Sequence, residues 1–243
     1  GSTQQYLTSD GINETMNVLD PARIKIREKR LSIMEAAMKE SKENFIKYAS
    51  KQARVANYYK KWQGELLGLK LNDAVNKKRK EEKKFLSWAK RSPNRWNKYG
   101  DIIDKQKALY QKKERGELQY NYIRECLQAS ELVGLGGYGD SLLKYNQEEN
   151  NIEDMKRVVK KITSRIKRMD LATDQKITSS LFAMYRDEFG GSDALKENNI
   201  NAMYSSSPFS NMNRMNTLLS EKPEVIEKAI KSDPVYLANA FIK

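Results

Sequence analysis

An all-α fold is what this sequence predicts, on three observations. Turn formers are scarce, with 12 Gly and 5 Pro in 243 residues, too few for the tight turns of an all-β chain. Apolar residues recur at spacings of three, four and seven, the period of a helix face. No run alternates with period two long enough to build a sheet, and no internal repeat of fixed period is present. The expected architecture is a bundle of about eight to ten helices. It forms a single domain over residues 1–243, with one candidate subdivision at residues 134–150.

The elements follow in order. Asp20-Pro21 reads as an N-cap followed by Pro at the first helical position. Beyond it Ile24, Leu31, Met34 and Met38 share one stripe. Ser41 is placed to cap the next helix, which carries Phe45, Tyr48, Ala49, Ala56, Tyr59, Trp62, Leu66 and Leu69. Asn72 is read as the cap of a third helix through Val75, Phe85, Leu86, Trp88 and Ala89, and Ser92-Pro93 starts a fourth. Another helical stretch runs from Ile102 to Leu127 and is broken at Gly134-Leu135-Gly136-Gly137-Tyr138-Gly139. Ile152, Met155, Val158, Val159, Ile162 and Ile166 make a clean amphipathic helix with Lys and Arg opposite. Thr173 is read as the cap of a helix that ends at Gly190-Gly191. Lys222-Pro223 and Asp233-Pro234 start two short helices in the tail.

Composition excludes more than it assigns. Without a histidine, neither a Ser-His-Asp nor a Cys-His mechanism can be assembled from these residues, and zinc sites built on His are ruled out. One Cys forms neither an internal disulfide nor a Cys₄ site. No metal or cofactor is expected. Lys and Arg number 45 against 32 Asp and Glu, a formal charge of +13. Such a surface suits anionic partners such as nucleic acid, acidic peptide or an anionic membrane, and equally a solvated, Lys-biased helical exterior. No apolar run reaches the length of a membrane span. The start Gly1-Ser2-Thr3-Gln4-Gln5 has neither a basic n-region nor an apolar h-region, and no initiator Met. We therefore expect a piece of a longer protein, without a signal peptide of its own.

Each candidate motif has a plainer reading beside the chemical one. Gly134 to Gly139 matches G-x-G-x-x-G, but no strand precedes it, so an interhelical loop is expected instead of a dinucleotide site. The basic run from Lys77 to Lys84 contains Glu81 and Glu82 at pairing distance, as a solvated helix face does. Arg157, Lys160, Lys161, Arg165, Lys167 and Arg168 flank an apolar stripe; a basic outer face explains them as well as nucleic-acid or membrane contact. Trp62, Trp88, Trp96, Tyr58, Tyr59 and Tyr48 have the chemistry of a base-stacking platform, yet most lie on apolar stripes and read as core. The carboxylate pairs Asp101/Asp104 and Glu148/Glu149 are exposed by pattern and carry no acid–base role. Asn57, amid Tyr58, Tyr59 and Trp62, is unusual in mid-helix. A buried carbonyl there needs a donor, from a neighbouring helix or from a ligand amine.

An ordered set of strings carries a family resemblance. Gly1 to Ser9 is followed by Arg23-Ile24-Lys25-Ile26-Arg27, Tyr48-Ala49-Ser50-Lys51 and Ala56-Asn57-Tyr58-Tyr59-Lys60-Lys61-Trp62. Gly64, Gly68-Leu69-Lys70, Leu71-Asn72, and later Asp170-Leu171-Ala172-Thr173-Asp174 and Leu181 to Tyr185 continue it. This set resembles the helical insertion of the bacterial dipeptidyl-peptidase 7 and 11 family of serine exopeptidases. The resemblance implies a helical cap over the cleft of a chymotrypsin-like double barrel, with the catalytic residues in the barrel and outside this chain. It further implies a peptide substrate with a free N-terminus, a homodimeric parent, and a periplasmic or secreted location. By the same analogy Asn57 accepts the substrate's N-terminal amine, with Tyr58 and Trp62 lining the cleft. Gln5 stands where the family usually shows Arg, and Ala56 where it often shows Ser. Should the resemblance not hold, the alternative is a basic all-α module that binds nucleic acid or protein.

Overall fold

The structure is a computed structural model that describes residues 7–146 and 152–243. Every regular element among these residues is helical: fourteen α-helices, one π turn and four short 3-10 turns. The all-α expectation holds. The count exceeds eight to ten because the Gly-rich stretch, and stretches to which no element was assigned, form helices of five to nine residues. The string Gly1 to Tyr6, which includes Gln5, and the pair Glu148/Glu149 lie outside the described residues.

The chain divides into two compact units. One comprises the residues up to Arg27 with Ala56–Tyr122; the other comprises Glu28–Val55 with Ile123–Lys243. Residues 134–150 fall inside the second unit.

In the first unit, α1 (Ser9–Glu14) is capped by Thr8, whose side chain accepts from the Gly11 N–H. It runs through a π turn at Thr15–Leu19 directly into α2 (Asp20–Glu40). Asp20 is therefore not a helix start. Pro21 has no N–H to offer the turn before it, and that turn is widened: the Asp20 N–H bonds back five residues to the Thr15 carbonyl. Both Ser9 N–H and Ser9 Oγ donate to the Glu82 carboxylate at 2.7 Å, which ties α1 to α4 (Ala74–Lys90).

The helix that follows α2 is α3 (Lys42–Leu71), which belongs to this unit from Ala56 on. Ser41 caps it as expected, its Oγ accepting from the Asn44 N–H at 3.0 Å. Asn72 does not cap α4. Its amide donates to the Gly68 carbonyl at 2.8 Å, closing the end of α3, and Asp73 takes the N-cap position with φ 48°. Helices α5 (Pro93–Tyr99) and α6 (Ile102–Glu125) complete this unit. Ser92-Pro93 does open α5, through the pre-set φ of proline at the first turn.

The second unit adds α7 (Glu131–Leu135), α8 (Gly139–Asn146), α9 (Ile152–Ile166), α10 (Leu171–Phe189), α11 (Glu197–Ser205), α12 (Met212–Leu219), α13 (Pro223–Ser232) and α14 (Pro234–Ile242). The Gly-rich stretch is not a loop. It is helical from α7 through a 3-10 turn at Gly136–Tyr138 into α8. Its glycines serve close approach to α14: a Cβ at Gly136 would lie 2.5 Å from the Val235 carbonyl oxygen, and one at Gly139 would run into the Tyr236 ring. Thr173 is not the cap of α10. Asp170 is, accepting from both the N–H and the hydroxyl of Thr173 at 2.8 and 2.6 Å. Gly190 ends that helix at φ 72°. Asp233 caps α14 by accepting from the Val235 and Tyr236 N–H groups.

Buried Asp174 anchors this unit. It accepts from the backbone N–H groups of Glu131 and Leu132, both at 2.9 Å, and from the Tyr204 hydroxyl at 2.8 Å. Three donors replace the water a buried carboxylate would lose. Burial, followed by the charge of Glu131, still raises its pKa above the ordinary value. Among the described residues no helix is long and apolar enough to cross a membrane.

Candidate functional site

Asn57 sits in the middle of the 30-residue α3. Its side chain is exposed and makes no hydrogen bond among the described residues. The carbonyl is therefore not buried and needs no donor from a neighbouring helix: the exposed amide is open to solvent and can serve as an acceptor. Tyr58, one residue on, is half exposed. Trp62 is different. It is only 8% exposed, so it supports the site from beneath instead of offering an open ring.

What holds Trp62 comes from α2. Arg23 and Arg27, one turn apart, place their guanidinium carbons 5.2 and 4.7 Å from its ring centroid. Arg27 also lies 5.1 Å from the Tyr58 ring, and the two rings touch at 5.9 Å. Planar guanidinium on the electron-rich ring face is a favourable pairing, about 0.5–2 kcal/mol per contact. Arg23 is fixed in turn. Its Nε donates to Asn121 Oδ1 at 2.7 Å, and an Nη donates to Asp20 Oδ1 at 3.0 Å.

Asp20 is the electrostatic oddity of this cluster. Its side chain is fully buried, and Oδ2 has no hydrogen-bond partner among the described residues. Burial first, then the nearby Glu65, pushes its pKa up to about 6 against the pull of Arg23. Asp20, Arg23, Arg27 and Asn121 were not among the residues singled out as a site. Their signal was present as i, i+3, i+7 spacing on α2 opposite Tyr58, Trp62 and Glu65 on α3. Charged residues at that spacing read as a solvated face until the partner helix is known.

The other aromatics do not form one platform. Tyr48 is fully buried in the second unit. Trp88 stacks with Phe85 and Tyr99 at 5.8 and 6.0 Å, and Arg95 lies over its ring at 4.6 Å. Trp88 and Trp96 are both 41% exposed, so the core assignment fails for these two. In the basic run, Glu81 pairs with Lys78 at 2.7 Å as expected, whereas Glu82 is taken by Ser9. The sole cysteine, Cys126, is fully buried, and burial pushes its thiol well above the ordinary value; it is no nucleophile at neutral pH. Among the described residues no cluster of His, Cys, Asp or Glu is arranged to hold a metal ion.

The site can thus offer one uncharged acceptor on a rigid helix beside a ring clamped by arginines. Comparison with known proteins gives the family. The family model described as Peptidase S46 matches residues 1–242. The chain belongs to the peptidase S46 family. An Asp/Glu-specific dipeptidyl-peptidase of Flavobacterium psychrophilum is 29% identical over 255 residues, covering 100% of this chain and 35% of the relative. A dipeptidyl-peptidase 7 of Porphyromonas endodontalis is 40% identical over 127 residues, 52% of this chain and 15% of the relative. An Asp/Glu-specific dipeptidyl-peptidase of Capnocytophaga gingivalis is 38% identical over 154 residues, covering 63% of this chain and 21% of the relative. This S46 chain therefore spans about a third or less of the curated relatives it matches. Its fold superposes on a region of the crystal structure of Porphyromonas endodontalis DPP11 in complex with dipeptide Arg-Glu. The TM-score is 0.82 at 16% identity, over 100% of this chain and 36% of that one.

Proposed function

We propose that this S46 chain is the helical cap of a serine-type dipeptidyl-peptidase, lying over the cleft of a separate chymotrypsin-like catalytic domain. It supplies no catalytic residue. Its task is to seat the free N-terminus of a peptide: the Asn57 amide oxygen accepts from the substrate ammonium group, and Tyr58 over Trp62 forms the wall beside it. Fixing the amine at a set distance from the nucleophile selects cleavage after two residues. Closure of a helical cap onto bound peptide would also exclude water from the reaction. The parent enzyme is a periplasmic or secreted homodimer in this reading, and its preference for the residue before the scissile bond is set in the catalytic domain.

The observation that carries the reading is the exposed, unengaged amide of Asn57 on a helix held rigid by the Arg23–Trp62–Arg27 stack. A charge-assisted hydrogen bond to an ammonium group is among the stronger polar contacts. The test is dipeptide release by the intact protein from peptides with free and acetylated N-termini, in wild type and Asn57→Ala. Loss of about 2–4 kcal/mol in kcat/KM for the free peptide, about 30- to 900-fold, is expected. Activity undiminished in Asn57→Ala discards the anchor, and an intact protein that releases no dipeptides discards the enzyme.

A further inference from the structure

We propose that the second unit carries a separate anion-binding pocket, built to hold a small multivalent oxyanion. A cavity of about 510 Å³ there is lined by Arg30 from α2, Lys51 and Arg54 from α3, Arg165 from α9, and Arg168 just beyond it. These five cations come from three separate stretches of the sequence, which meet at one cavity only through the fold. The acidic side chain in the lining is that of Glu131, and it is already engaged. Both its oxygens accept from Lys51 Nζ, at 2.6 and 2.7 Å. Lys51 also donates to the Arg168 carbonyl at 2.9 Å.

Arg54, Arg165 and Arg168 are thus left without a carboxylate from the lining. Arg165 and Arg168 are held in place by neutral partners. The Arg168 guanidinium donates to the carbonyl and the hydroxyl of Ser164, both at 3.0 Å. Arg165 lies over the Tyr138 ring at 5.4 Å. Arg30 donates to the Ala129 carbonyl at 3.4 Å. Arg54 is exposed and has no side-chain partner among the described residues. Gathering like charges around a concave surface focuses their field into it, and an anion relieves the repulsion. Forked guanidinium donors match the paired oxygens of phosphate or carboxylate groups. The field also extends beyond the cavity: Arg165 and Arg168 line an adjoining depression together with Lys160 and Lys161. That extension favours a ligand with more than one anionic group.

This pocket is independent of the peptidase reading, because binding is measured by heat and not by turnover. Calorimetric titration of the intact protein with inorganic pyrophosphate, and separately with citrate, at constant ionic strength tests it. Saturable binding of at least one probe is expected, weakened tenfold or more in the double variant Arg54→Gln/Arg165→Gln. Both arginines are exposed, so the fold, followed by Tm, should be unchanged. The single Arg165→Lys variant keeps the charge but loses the fork, and is expected to bind with an intermediate affinity. Tighter pyrophosphate assigns the pocket to phosphates, and tighter citrate assigns it to carboxylates. Heats that fail to saturate for both probes overturn the proposal. An equal loss in the control Lys77→Gln/Lys80→Gln on α4 overturns it as well, since ordinary surface charge would then account for the binding.

Discussion

Around Trp62 the first unit is held by rings and guanidinium groups near its surface, whereas around Phe182 the second unit buries apolar side chains outright. Leu19, Ile26, Trp62, Ala89 and Tyr122 are the buried apolar residues described in the first unit, and all the others lie in the second. Exposed large apolar residues lean the other way: Tyr58, Leu67, Leu71, Trp88, Trp96, Ile102, Leu109 and Tyr120 belong to the first, against Phe45, Ile46, Val225, Leu237 and Phe241 in the larger second. A unit with little interior relies on cation–π pairs and long helices for order. It keeps its aromatic surface available for contact, as a cap that meets substrate and a catalytic domain would need. The second unit is a packed body stitched by buried polar groups such as Asp174.

The largest effects should separate the two kinds of packing. Phe182→Ala opens a cavity in a fully buried site and is expected to cost about 3–5 kcal/mol. Trp62→Leu keeps an apolar side chain but loses both guanidinium contacts, at a cost of about 1–3 kcal/mol. Urea unfolding of the two variants checks the order; equal losses would mean that the units do not differ in the way described.

Glycines give a second contrast. Gly139→Ala drives a Cβ into the Tyr236 ring, and about 1–3 kcal/mol of destabilisation is expected from overpacking. Gly64→Ala in α3 meets nothing within 4 Å, so removing a flexible residue from a helix interior should stabilise by about 0.5–1 kcal/mol. Thermal unfolding reads both signs.

A pH-dependent effect concerns Asp20. Its folded pKa of about 6 lies above the ordinary 3.8, so the folded state binds the proton more tightly than the unfolded one. Its ionisation therefore costs nothing below pH 4, and the cost grows as pH rises and is complete above about pH 6. Asp20→Asn keeps an acceptor for Arg23 without the charge. Relative to wild type it should gain about 1–2 kcal/mol between pH 4 and pH 6–7, allowing for screening. A Tm difference that does not change with pH over that range would remove Asp20 from the account.

How much was readable from sequence depended on range. Ser41, Pro93, Asp233 and Gly190 punctuate helices as their chemistry dictates, because caps act over three or four residues. Asp20, Asn72 and Thr173 failed by the same measure: each is a good cap residue, and each found a stronger role or a better-placed neighbour. The Gly134 to Gly139 stretch misled for a different reason. Glycine marks either freedom or proximity, and only α14, a hundred residues away, shows that proximity was needed. Asn57 stood out from its composition alone, whereas the arginines that stiffen its surroundings looked like ordinary solvated charge.

By itself the sequence determined the all-α class, the amphipathic faces and the exclusion of histidine chemistry. These follow from residue type and from backbone hydrogen bonds between near neighbours. Its ordered strings already carried the family. Tertiary structure alone decided which faces meet. It laid Arg23 and Arg27 over Trp62, buried Asp20 and Asp174, and drew Arg30, Lys51, Arg54, Arg165 and Arg168 around one cavity. A helix records in its own sequence which side is apolar, but the partner that covers it, and the polar groups brought along with that partner, come from distant parts of the chain.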